Sequence, residues 1–87
     1  MYIVYVIKSA SGRRYTGHTS DLERRLIEHN SGMCRTTKGE STWKVAYTEE
    51  YATRSDAMKR EKWLKSGRGR DFLESILDKT ISRNNFT

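Results

Sequence analysis

The sequence contains no proline and a single cysteine among its 87 residues, and its apolar fraction is only 34%. Without proline, turns must come from Gly, Ser and Asn, and no helix carries an imposed break. One cysteine, Cys34, excludes an internal disulfide and a cysteine-based zinc site. It lies in a polar stretch and reads as incidental, while an unpaired thiol suits a reducing compartment, so a cytoplasmic location is expected. Long apolar runs are missing too. The longest, Ile3 to Ile7, is far too short to span a bilayer, and it lacks the basic leader and small-residue cleavage site of a signal peptide. No membrane association is expected. A chain this short has no room for a second core, which predicts one domain over residues 1–80 and a mobile tail over 81–87.

Positive charge is present in excess. Seventeen Lys and Arg stand against eleven acids, a net charge of +6. Such a balance favours an anionic partner, nucleic acid first and an acidic membrane surface second.

The pattern of residues predicts the order β-β-α-β-α-α, an α/β (α+β) fold with a small three-stranded antiparallel sheet flanked by helices. Tyr2 to Ile7 is continuously apolar, β-branched and aromatic, as in a strand buried on both faces. Residues 9–12 form a turn, and Arg13 to Gly17 completes a hairpin. Ser20, with Glu23 three residues on, has the form of a capping box and opens a helix that should end at Asn30, Ser31 and Gly32. Trp43 to Tyr51 returns to strand character. Thr53 and Asp56 open a helix running to about Lys65, residues 66–70 break it, and Asp71 caps a last helix from Phe72 to about Lys79.

On the first helix Leu22 and Leu26 mark the apolar direction, and Arg25 and His29 fall beside them, whereas Arg24 and Glu28 point away. On the second, Glu61 projects between Ala57 and Leu64, and Lys59 and Lys62 turn outward. An inward carboxylate on one helix and an inward Arg-His pair on another suggest a shared site. The competing interpretation is structural: an Arg25–Glu61 ion pair and a core histidine.

These residues resemble the GIY-YIG nuclease family, in particular its small stand-alone bacterial members. Ile3-Val4-Tyr5 stands for the first tripeptide and Tyr15-Thr16-Gly17 for the second. Arg25 and His29 match the family's helical Arg and the His after it, and Glu61 matches its metal-binding Glu. The likeness runs from Tyr2 to about Leu77. Ile3 replaces the family's first Gly, and His18 follows the second tripeptide where some relatives carry Lys. A downstream family Asn has no secure counterpart, since Asn84 and Asn85 fall in the tail.

The resemblance implies a metal-dependent DNA endonuclease, structure-selective and acting in repair or recombination. It implies one divalent ion, Mg²⁺ or alternatively Mn²⁺, held by Glu61 with waters and a phosphate oxygen. Arg25 would clamp the phosphate, Tyr15 would act as general base, and Tyr5 would hold it in position. Phenols are poor bases at neutral pH, so His29 stands as relay or substitute base. Arg13, Arg14, Arg35, Lys38, Arg68 and Arg70 are candidates for phosphate contact, and Gly17 for close approach of backbone to substrate. Trp43 and Trp63 could stack on bases, although packing is the more common use. DNA is favoured over RNA, and targeting is expected from a partner protein. The alternative from another class is a non-catalytic nucleic-acid-binding module on the same scaffold.

Overall fold

The computed structural model describes residues 1–32 and 42–77. The elements are β1 (Tyr2–Lys8), β2 (Arg14–Thr19), α1 (Leu22–Asn30), β3 (Lys44–Tyr51), α2 (Arg54–Leu64) and α3 (Gly67–Leu77). They follow the order expected from the sequence and form one antiparallel sheet, β2-β1-β3, with β1 in the centre.

The central position of β1 explains its unbroken apolar run. Val4 and Val6 point into a core shared with Ala57, Leu64 and Leu73 on α2 and α3. Tyr5 and Ile7 point to the opposite face and pack with Trp43, Tyr15, Leu22 and Leu26 beneath α1. All four residues from Val4 to Ile7 are buried, because helices cover both faces of the strand they sit on. Each of those side chains contributes roughly 1.5–3 kcal/mol by leaving water, so two thin cores share the task of holding the sheet.

Several boundaries differ from expectation, each for a local reason. The second strand starts at Arg14 and runs two residues past Gly17, to Thr19. Asp21, not Ser20, caps α1: its carboxylate accepts the Arg24 N–H at 3.2 Å, while the Thr19 hydroxyl accepts the Asp21 N–H. With the cap one residue later, Glu23 no longer falls at the reciprocal position of a capping box. At the other end Asn30 stays helical, and Gly32 takes the left-handed conformation with φ of 79°.

The largest difference is α3. It begins at Gly67, five residues before the expected Phe72, and Asp71 lies inside it. Ser66 is its cap, accepting the Gly69 N–H on its hydroxyl and the Arg70 N–H on its carbonyl. The expected end near Lys79 and the tail 81–87 lie outside the described residues.

Candidate active site

Among the described residues β2 is an edge strand, and the site straddles its outer side. Alternation along β2 sends Tyr15 and Gly17 toward α1 and His18 toward α2. Register does the rest. Tyr5 lies directly opposite Gly17, and Ile7 opposite Tyr15, so Tyr5 and Tyr15 are diagonal neighbours with ring centroids 6.3 Å apart. A Cβ on residue 17 would sit 2.7 Å from the Tyr5 hydroxyl and 3.1 Å from the Tyr15 ring. The position a Gly17 side chain would take is thus filled by two tyrosine rings.

His29 completes this cluster. It is fully buried, its Nε2 shares a hydrogen bond of 2.8 Å with the Tyr5 hydroxyl, and its ring lies 4.9 Å from that of Tyr15. Burial, with the nearby Arg25 charge adding to it, holds the imidazole below its ordinary value of 6.5 despite the opposing Glu28 carboxylate. A neutral, enclosed ring of this kind suits positioning better than exchange of protons with water. Tyr5 thus touches the Tyr15 ring and gives its hydroxyl to His29. The end of α1 is pinned by a contact that spacing did not suggest: the Asn30 amide donates to the Trp43 carbonyl and accepts the Trp43 N–H. Trp43 itself is core, with 2% of its surface exposed, which removes it as a base-stacking platform. Trp63 packs between Phe72 and the Arg60 guanidinium.

Across the edge, Glu61 projects from α2. His18 Nδ1–H donates to its Oε1 at 2.6 Å, and Lys65 Nζ donates to its Oε2 at 2.7 Å. Burial alone would raise the Glu61 pKa, but the hydrogen bonds from Lys65 and His18 outweigh it and hold the carboxylate below its usual range. Lys65 Nζ also lies 5.8 Å from the centroid of the Tyr15 ring, so one ammonium connects Glu61 with the tyrosine cluster. His18 is the site residue that the sequence reading underweighted. Its signal was its place directly after the second tripeptide.

Arg25 pairs with Glu28 at 2.9 Å instead of joining Glu61 in a shared ion pair. Glu28, expected to point away, is half-buried and also meets Arg24 at 3.3 Å. Among the expected phosphate contacts, Arg14 and Arg70 line a cleft with Tyr15. Arg13 and Arg68 are exposed elsewhere on the surface, and Arg35 and Lys38 lie outside the described residues.

Among the described residues no group of three or more His, Cys, Asp or Glu could cage a metal ion. Glu61 still fits a hard cation that brings its own waters. Its carboxylate is ionised and partly exposed, and one of its two donors is Lys65, itself half-exposed on a flexible stem.

A three-stranded sheet carrying paired tyrosines on neighbouring strands, an Arg-His helix on one face and a Glu helix on the other defines a nuclease-type α+β domain. The sequence pattern of the GIY-YIG catalytic domain matches residues 1–72, and the chain belongs to this nuclease family, whose substrates are nucleic acids and whose members generally use a divalent metal. A UPF0213 protein of Halobacterium salinarum is 42% identical over 70% of this chain and 80% of its own length. A UPF0213 protein of Clostridium perfringens is 32% identical over 99% of this chain and 94% of its own length. The solution NMR structure of a UPF0213 protein from Bacillus halodurans is similar with a TM-score of 0.53 and 31% identity, covering 87% of this chain and 85% of that one. No helix among the described residues is long and apolar enough to cross a membrane.

Proposed function

We propose that the protein is a metal-dependent DNA endonuclease whose centre is the group Tyr15, Arg25, His18 and Glu61 on the outer side of β2. The observation that carries this is the convergence of Glu61 and Tyr15 on Lys65 from opposite faces of the strand, at 2.7 Å and 5.8 Å. A bound divalent ion would add positive charge against the phosphoryl oxygens. Glu61 would hold it, with Lys65 giving up its place on Oε2 and His18 steadying Oε1. Arg25, which pairs with Glu28 through Nη1, would turn its forked donors to the non-bridging oxygens of a bound phosphate. Tyr15 Oη, as phenolate, would take the proton of the attacking water as the new P–O bond forms and the P–O bond to the leaving alkoxide breaks, that oxygen taking its proton from solvent, while His29 and Tyr5 fix the plane of the Tyr15 ring. Structure-selective cutting in repair or recombination is the role that suits a small domain of this kind, with a partner protein to supply targeting.

The non-catalytic reading is favoured by one fact: both Glu61 oxygens already have donors. Incubation with nicked, flapped, branched and duplex DNA in Mg²⁺ or Mn²⁺ separates the two. The expected result is metal-dependent cleavage that Glu61→Ala abolishes and Tyr15→Phe slows by about 10²–10⁴-fold. Absence of cleavage on every substrate, with DNA binding retained by Glu61→Ala and Arg25→Ala, would establish the binding module instead.

A further inference from the structure

We propose that a DNA strand crosses the outer edge of β2 with its phosphates held in two clefts, one on each side of the Tyr15–Glu61 centre. Arg14, Lys65 and Arg70 hold it on one side, and Arg24 and Arg54 on the other. The proposal rests on the nuclease reading for the position of the centre and adds the route of the substrate and the residues that bind it.

The first cleft, of about 470 Å³, opens between the start of β2 and α3, with Arg14, Tyr15, Lys65 and Arg70 in its wall. Among the described residues no carboxylate lines it. The second, of about 590 Å³, lies at the far end of β2 and is lined by His18, Arg24, Arg25 and Arg54 together with Asp21 and Glu28. Both of those acids are occupied, Asp21 in capping α1 and Glu28 in binding two arginines. Tyr15 thus belongs to one cleft, and His18, the partner of Glu61, to the other. The candidate centre is the partition between them.

Charge supports the same route. Arg14, Arg54 and Arg70 take part in no ion pair among the described residues. Three uncompensated guanidinium groups in concave surface on either side of one point match a polyanion that passes through rather than a small anion that stops there. Arg14 and Thr19 bound β2 and are the outermost strand residues of the two linings, so over five residue steps at about 3.3 Å the two clefts together span about 17 Å along the strand. That is the rise of about five base pairs. Arg54, on the first turn of α2, and Arg24, on the outer side of α1, are brought to this route by folding alone.

The test is fluorescence anisotropy of the full chain with a duplex of about 20 base pairs in EDTA, across a range of NaCl concentrations. Three double variants are compared: Arg14→Ala/Arg70→Ala, Arg24→Ala/Arg54→Ala, and Lys59→Ala/Lys62→Ala as a control of equal charge on exposed residues that line neither cleft. Thermal melts establish that each variant is folded. Each cleft pair should weaken binding about tenfold and flatten the dependence of log Kd on log salt by about 2, with the control changing Kd by less than about threefold. A control that loses as much as the cleft pairs, an effect from one pair only, or no DNA binding by the wild type overturns the proposal. The two readings fail separately. The cleft pattern without Mg²⁺-dependent cleavage sinks the nuclease and leaves the route, and cleavage without the pattern does the reverse.

Discussion

At the scale of single residues, the burial of His29 gives the protein a pH response of definite sign. Its folded-state pKa lies below 6.5, so the unfolded chain takes up the proton first as pH falls. Stability contributed by the neutral ring is present above 6.5 and is lost as pH drops through the unfolded value toward the folded one. Glu28, Glu49 and Glu61, all held below 4.5, add losses of the same direction only at still lower pH. The urea midpoint should therefore fall between about pH 7.5 and 5.5, and His29→Gln should flatten that change. A His29 NMR titration with its midpoint at or above 6.5 would contradict this account. The candidate site residues were legible as residues: Tyr15, Arg25 and Glu61 stand at recognisable spacings. Their partners were not, because a bond from His18 to Glu61 spans 43 positions of the chain, and no local periodicity encodes it.

Among the elements, α3 shows where local signals mislead. Glycine near a helix start reads as a break, since it is a poor helix former. Gly69 nevertheless lies in the first turn and is buried, because a Cβ there would come within 2.1 Å of the Trp63 carbonyl and 2.3 Å of the Leu64 Cα. The glycine lets α3 start directly on the end of α2. Gly69→Ala should thus destabilise the fold despite its better helix propensity, by about 1–3 kcal/mol in urea unfolding, by forcing the two helices apart. The opposite sign would mean that the contact is slack. The joint matters to the site because α2 carries Glu61. Its far face is locked in turn by Glu49 on β3, which accepts a two-pronged pair from Arg60 at 2.9 and 3.1 Å and hydroxyl bonds from Tyr47 and Tyr51. Burial and the Glu49 carboxylate push the Tyr51 phenol up to about 12, so this lock stays intact through neutral pH. Strand character from Trp43 to Tyr51 was legible; the Arg60 pair with Glu49 was not, since it arises from folding α2 across β3.

For the molecule as a whole, the candidate centre lies, among the described residues, along a strand edge and not at the bottom of a closed pocket. A substrate needs no free end to reach it. Closed circular DNA should accordingly be nicked in Mg²⁺ at a rate within about tenfold of a linear duplex of equal length, as gel conversion to the open form would reveal. Cutting confined to ends would place the centre elsewhere. The order of strands and helices and the placing of Arg25, His29 and Glu61 on their helices follow from patterns of two or 3.6 residues, although the caps of α1 and α3 do not. Those are short-range properties, and the chain carries them in its order of residues. Which face of β2 meets which helix, the pairing of Tyr5 with His29 and of His18 with Glu61, and the burial of His29 come from strand register and helix docking. They join residues 24 and 43 positions apart, and such contacts exist only once both cores have closed on the sheet.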